Sequence, residues 1–374
     1  MNSTQDVILG VLGTQWERTR KPGVEVYLES IYRSGFRGRK IMLCWDIHPE
    51  TRVALFRYGF EVIDLPSPPD SFFHARMRVC WEYLRVHHQE FRYIFWLDVK
   101  DLVLQSNPSD WMEQNIGSTK LIASTECVTI EQEETNQLWA RNILGEDKYQ
   151  SIKNEEVING GTWAGESEVM TEVFHQVHLG CQTYGGGYPP CQIWINYVMR
   201  QSPFKEVLRI PRWSEGFAAC LHPMWSPWRV PCRSHLRDNA PVFNLNTAVL
   251  YPGTKYNPSN RSIPFNDRWG TERMFQVMPI GIGPLLGVEC VDFPQNKPFC
   301  IVHGYDRDWD MKGFFEFKYR ASGTDFNLEM YKAERELKLS SVRAYGKRLR
   351  RPSVQDTNSR RDVPQTPRIF TRRT

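Results

Sequence analysis

The stretch Tyr93-Ile94-Phe95-Trp96-Leu97-Asp98-Val99-Lys100-Asp101-Leu102-Val103-Leu104 decides how this chain is read. Its first five residues form a short apolar run of strand length, the pattern of a buried strand. Asp98 then falls at the strand's end, where a parallel sheet presents groups to ligands. Asp101 follows three positions later, with Lys100 between them, before apolar residues resume. Two carboxylates beside a buried strand end cost free energy unless something positive sits near them. A hard divalent cation that bridges protein carboxylates to substrate phosphates fits that requirement.

The segments preceding this stretch alternate in type. Val7 to Gly13 reads as a first strand, and Val24 to Ser34 as a helix with Val24, Leu28 and Ile31 on one face. Lys40 to Trp45 reads as a second strand. A helix from Pro49 to Tyr58-Gly59 and a third strand from Glu61 to Leu65 follow. A long helix from His74 to Arg92 leads into the strand before Asp98. This βαβαβαβ order predicts an α/β fold with a mainly parallel, Rossmann-like sheet flanked by helices. No GxGxxG follows the first strand, which argues against dinucleotide binding.

The spacing beyond predicts a helix starting at Ser109-Asp110-Trp111, a strand over 120–124, and helices over 131–144, 167–181 and 192–201. Residues 202–298 are rich in Pro, Trp and Gly and read as an irregular, pocket-shaping half. Lys297 to Val302 is a last strand ending at His303. An amphipathic helix over 329–339 precedes a Ser-, Arg- and Pro-rich segment expected to be disordered. The expected organisation is a Rossmann-like half over 1–106, a second half of the same domain over 107–337, and a basic tail over 338–374.

Composition bounds the function classes. Of 374 residues, 41% are hydrophobic and 13% aromatic, which fits a packed globular protein. The net charge of +4 hides an asymmetry: residues 338–374 hold 11 Lys/Arg against 2 Asp/Glu, a net +9, which leaves the body at −5. A basic arm of this kind suits peripheral contact with a membrane surface or another polyanion. An acidic body and a tail without interleaved aromatics exclude nucleic acid as the expected partner. The nine cysteines include no CxxC pair, so no structural zinc site is expected. Cys44 and Cys80 read as buried thiols, and Cys220 could pair with Cys232. No stretch has the length of a signal peptide core or a membrane span, so the expected location is cytoplasmic.

Asp98-Val99-Lys100-Asp101, Asn159-Gly160-Gly161-Thr162, Gln192-Ile193-Trp194-Ile195-Asn196-Tyr197 and Ile301-Val302-His303, in this order, resemble nucleotide-sugar glycosyltransferases of the GT-A fold. The resemblance covers roughly residues 5–320. It implies a UDP- or GDP-linked sugar as donor, a glycan or other hydroxyl acceptor, and Mn2+ or Mg2+ held by Asp98, Asp101 and His303. It also implies nucleotide or ribose contacts from Gly10, Thr14, Gln15 and Asp46, and a cation near the phosphates from Arg76 or Arg78. Lys100 would bond phosphate or pair with Asp101, and Arg307 would neutralise the leaving diphosphate. Asn159, Gly160, Gly161 and Thr162 would lie against donor sugar or acceptor, since glycines permit close backbone approach.

The motif departs from the family at two points. The acidic motif is Asp-x-Lys-Asp, and Gln192 follows Cys191 where related enzymes often carry aspartate. The catalytic candidates are therefore Gln192, Glu155, Glu156, Asp306 and Asp308, and retention or inversion at the anomeric carbon stays open. Two other readings compete. One is a catalytically altered sugar- or nucleotide-sugar-binding protein on the same fold. The other is a metal-dependent phosphohydrolase, which would need more clustered ligands than this sequence offers.

Overall fold

A computed structural model describes residues 5–13, 24–184, 190–212, 215–220, 242–244, 249–251, 298–307 and 309–319. The expected helix over 329–339, the basic tail and most of the irregular half lie outside the described residues. The first five strands are β1 (Val7–Gly13), β2 (Arg39–Trp45), β3 (Glu61–Asp64), β4 (Tyr93–Leu97) and β5 (Leu102–Leu104). Later strands are β6 (Leu121–Thr129), β7 (Glu156–Glu166), β8 (Leu208–Arg209), β9 (Ala218–Cys220), β10 (Val242–Asn244), β11 (Val249–Tyr251) and β12 (Ile301–His303).

A seven-stranded sheet runs β3-β2-β1-β4-β7-β6-β8. Every neighbouring pair is parallel except the two made by β7, which is antiparallel to β4 and to β6. The expected mainly parallel α/β sheet is therefore present, with one reversed strand inserted beside β4. A smaller sheet runs β5-β12-β9, with β12 antiparallel to β5 and parallel to β9.

Alternation along β4 explains the layers. Successive side chains point to opposite faces of a strand. Phe95 and Leu97 face a core built with Tyr27, Leu28 and Ile31 of α1 (Glu25–Arg33) and with Leu55 of α2 (Pro49–Arg57). Trp96 faces the other way. Its ring meets Phe174 of α7 (Ser167–Thr183) edge-on at 5.2 Å, and Trp163 of β7 joins the same cluster. Helix α3 (Phe72–His87) packs beside α7 on that side. Both faces of β4 are thus buried, which is why its sequence reads as a continuous apolar run.

Some boundaries differ from the sequence pattern. The long helix stops at His87 rather than Arg92, followed by a single 3-10 turn over His88–Glu90. Phe91 must then turn to an extended backbone to enter β4. Arg92 anchors that entry with a two-pronged bond to the Asp6 carboxylate at 2.8 and 2.7 Å. Helix α4 is Pro108–Asn115, with Asn107 capping the Ser109 N–H at 3.1 Å. The helical run expected from residue 131 begins three residues later as α5 (Glu134–Trp139), because the Glu133 carboxylate caps the N–H groups of Thr135 and Asn136. A π turn over Ala140–Leu144, then α6 (Glu146–Ile152), carry the chain to β7. Helix α8 (Pro190–Val198) is shorter than expected, and α9 (Phe204–Val207) and α10 (Trp309–Lys318) complete the helices of the described residues.

Candidate functional site

Asp98 is the first residue beyond β4, and its N–H donates to the Gly161 carbonyl at 2.8 Å. That bond extends the β4–β7 ladder by one residue and fixes where the carboxylate emerges. Arg76, on α3, donates from Nη1 to Asp98 Oδ1 at 2.8 Å. The guanidinium is buried, lies over the Phe73 ring and near the Trp96 ring, and donates from Nη2 to Cys191 Sγ at 3.2 Å. Burial alone would favour a neutral guanidine, but the acidic Asp98 and the Cys191 sulfur outweigh it and hold Arg76 firmly charged. One oxygen of Asp98 is therefore neutralised from the helix side, leaving Oδ2 facing His303 Nε2 at 3.9 Å.

Lys100 is the hinge of the motif. Its φ is 87°, the left-handed region that non-glycine residues rarely adopt. Two bonds hold the turn. The Gly304 N–H donates to the Asp101 carbonyl at 2.7 Å, and the Tyr305 hydroxyl donates to the Lys100 carbonyl at 3.1 Å. The strained turn swings Asp101 back toward Asp98 and starts β5 in the second sheet. The Lys100 side chain is buried.

β12 delivers the third member. His303 pairs in register with Leu102 of β5 and Cys220 of β9. Its Nε2 lies 3.4 Å from Asp101 Oδ1 and 3.9 Å from Asp98 Oδ2. One ligand atom from each of Asp98, Asp101 and His303 lies within 4.8 Å of the others, a spacing suited to sharing one ion. Burial disfavours the charged imidazole, but Asp101, Cys220 and Asp98 overcome it and raise the ring's pKa well above its ordinary value. Two carboxylates and one imidazole form a mixed oxygen–nitrogen set that suits a divalent ion such as Mn2+ better than Mg2+, which prefers oxygen alone.

Asn159, Gly160, Gly161 and Thr162 lie inside β7. Gly161 passes directly over the Asp98 carboxylate: a Cβ there would come within 2.3 Å of Cγ and Oδ2. Gly160 faces Gln192 on α8, with 3.3 Å between a built Cβ and Gln192 Oε1. Thr162 Oγ1 lies 3.0 Å from His303 Nδ1. Asn159 Oδ1 accepts from the Gly161 N–H at 2.9 Å.

One buried carboxylate here was not singled out from the sequence. Glu126, on β6, accepts from Asn159 Nδ2 at 3.2 Å and from Gln192 Nε2 at 3.4 Å. Gln192 also donates to Asn136 Oδ1 at 3.0 Å. The strand expected over 120–124 continues to Thr129 through Ser124-Thr125-Glu126, three consecutive polar residues, with register breaks against β7. A polar triplet extending a buried strand was the available signal.

The remaining candidates divide between the motif's surroundings and the surface. Gly10 packs in the sheet against Met42 and Val99. Asp46 follows β2 in an exposed left-handed turn at φ 51° and accepts from the Ser67 hydroxyl. Arg78 pairs with Asp70 at 3.3 Å and with Glu82 at 3.2 Å on the surface of α3. Glu155 faces Arg200 at 3.6 Å, and Glu156 accepts from Thr125 Oγ1 at 2.6 Å. Glu156 begins β7, five residues before Gly161, a separation of roughly 16 Å along a strand. Asp306 stands two residues beyond Gly304 in the loop that clamps Lys100 and Asp101. Thr14, Gln15, Asp308 and the Arg307 side chain lie outside the described residues. Cys44, Cys80 and Cys220 are buried free thiols, and Cys232 lies outside the described residues.

No family model and no curated protein matches the chain. Among solved structures it is similar to glucosyl-3-phosphoglycerate synthase from Mycobacterium tuberculosis in complex with UDP, at 12% identity and TM-score 0.36, over 55% of this chain and 69% of that one. The same enzyme with Mn2+, UDP and glucosyl-3-phosphoglycerate gives 11% identity and TM-score 0.35, over 55% and 69%. The glycosyltransferase GlyE of Streptococcus pneumoniae TIGR4 gives 13% identity and TM-score 0.40, over 90% of this chain and 64% of that one. No helix among the described residues is long and apolar enough to cross a membrane.

Proposed function

We propose that this chain is a metal-assisted glycosyltransferase that moves a sugar from a nucleotide-diphosphate donor to a hydroxyl acceptor. One observation carries the reading. Asp98, Asp101 and His303 converge to within 4.8 Å at the end of β4, although about two hundred residues separate the histidine from the aspartates. The order of motifs along the sequence, from the acidic turn to the late histidine, supports the same reading.

The residues divide the work. Asp98, Asp101 and His303 would hold Mn2+ or Mg2+, with Arg76 fixing Asp98 from behind. When bound, such an ion offsets negative charge gathering on a diphosphate leaving group. Asn159, Glu126 and Gln192, bonded to one another beside the cluster, are the polar groups that would read a sugar hydroxyl, while Gly160 and Gly161 let Gln192 and Asp98 pack against the strand. Breaking the bond from the anomeric carbon to the diphosphate leaves positive character on that carbon, as in glycoside hydrolysis. A donor and acceptor held together beside this cluster gain the proximity advantage of an intramolecular reaction. Asp306, on the loop whose Gly304 N–H bonds the Asp101 carbonyl, is one carboxylate candidate to take the acceptor's proton.

A second reading rests on Cys191. Where related enzymes often carry aspartate, this chain has a sulfur bonded to Arg76 at 3.2 Å, consistent with a protein that binds nucleotide-sugar without turning it over. Calorimetric titration of UDP, GDP and their sugars, with and without Mn2+, separates the readings when combined with an assay for released nucleoside diphosphate. Binding that tightens with Mn2+, together with release, supports the transferase. Binding without release supports the second reading. Indifference to nucleotides under all conditions would overturn both.

A further inference from the structure

Thr162 joins the two sheets at the site. It belongs to β7 of the seven-stranded sheet, opposite Leu97 in register, while His303 belongs to the three-stranded sheet. Their side chains are both buried and meet at 3.0 Å, Thr162 Oγ1 to His303 Nδ1. The threonine is itself held in place. Ser124 Oγ donates to the Thr162 carbonyl at 2.7 Å, and Cys220 Sγ donates to Ser124 Oγ at 3.2 Å. Cys220 in turn sits directly opposite His303 in the β9–β12 register.

An imidazole has two distinct nitrogens, and the hydrogen bond made by one decides what the other presents. Here Nδ1 is occupied by the threonine hydroxyl, so Nε2 is the atom turned toward Asp101 at 3.4 Å and Asp98 at 3.9 Å. A ring rotated by half a turn would instead point carbon at the carboxylates. From this geometry we infer that Thr162 is a positioning residue: its hydroxyl accepts the His303 Nδ1–H, fixes the ring's orientation and reserves Nε2 for the ion. The chain Cys220–Ser124–Thr162 holds that hydroxyl's backbone at the right height above β12. The consequence for ion affinity rests on the metal reading above, whereas the ring's orientation does not. Outer partners of this kind are worth about 10–100-fold in metal affinity.

The test uses the full chain with Thr162→Val, which keeps the shape and removes the hydroxyl, and Thr162→Ser, which restores the hydroxyl. Free Mn2+ is measured by electron paramagnetic resonance during titration without nucleotide. The His303 ring nitrogens are followed by nitrogen-15 NMR without metal. Thr162→Val is expected to lower Mn2+ affinity about 10–100-fold and to shift the His303 Nδ1 resonance. Thr162→Ser is expected to restore both to near wild type. Ring resonances unchanged by Thr162→Val, or not restored by Thr162→Ser, would overturn the positioning role. A wild-type chain that takes up no Mn2+ would overturn the metal reading instead, and the ring signals would still decide the hydrogen bond.

Discussion

Gly161 lies against the Asp98 carboxylate so closely that a Cβ on it would stand 2.3 Å from the carboxylate oxygen. The Gly161 carbonyl also accepts the Asp98 N–H, so neither strand can retreat without losing a bond at the sheet's centre. Gly161→Ala therefore displaces the carboxylate from the Asp101 and His303 cluster. A loss of at least ten-fold in Mn2+-dependent nucleotide affinity is expected, measured by calorimetry. Gly160→Ala meets only the flexible Gln192 side chain at 3.3 Å and should change that affinity little.

Asp101→Asn keeps the size of the side chain and removes its charge. Because Asp101 lies in a turn between two sheets, the fold should persist, while Mn2+-dependent nucleotide binding weakens. Unchanged metal-dependent binding of UDP or GDP in this variant counts against Asp101 as a ligand. His303→Ala should lower activity more at limiting than at saturating Mn2+, since a missing ligand lowers affinity before it abolishes a site.

How far the sequence carried the site depends on what each residue does locally. Asp98 was legible because it ends an apolar strand of the parallel sheet, where ligands are presented. That His303 joins Asp98 and Asp101 came from the resemblance, and the contact itself runs through the separate three-stranded sheet. The strands β1 to β4 were legible from their short apolar runs, to within a residue or two. Asn159 to Thr162 read as backbone that comes close to a ligand, because glycines permit that approach. The structure keeps them in β7, and at Gly161 the Asp98 carboxylate fills the space a side chain would take. The link between Thr162 and His303 was not legible, since it depends on which strands become neighbours across two sheets, and Glu126 offered only the polar triplet that extends its strand. Arg76 was read as a cation near phosphate, and its bond to Asp98 shows how a helix position gains meaning only from the strand beneath it.

Arg76 should be indispensable to stability as well as to the site. Removing one partner of a buried ion pair typically costs about 3–5 kcal/mol, because the other charge is left behind. Arg76→Met is expected to fall in that range by urea unfolding. Arg76→Lys should recover little of it, since a single ammonium cannot serve both Asp98 and Cys191. An unfolding midpoint equal to wild type in Arg76→Met would show that Asp98 finds another partner.

Lys318, near the end of α10, gives the fold a pH dependence of its own. Burial, aided by the Arg33 guanidinium, lowers its pKa to about 8. A cation whose folded pKa lies below its unfolded value opposes folding while both states are protonated. That penalty is fully present below pH 8 and lifts as pH rises from about 8 to about 10.5, the ordinary lysine value. Over that window stability gains from this group, against whatever trend other residues impose. Lys318→Met keeps the aliphatic stem and removes the charge. It should stabilise the protein at pH 7 by roughly 1–2 kcal/mol after allowance for partial solvent screening. The advantage should shrink toward zero by about pH 10.5. Thermal unfolding of both proteins between pH 7 and 10.5 measures the difference directly, and a gap that does not narrow with rising pH would show that Lys318 keeps its charge at no cost.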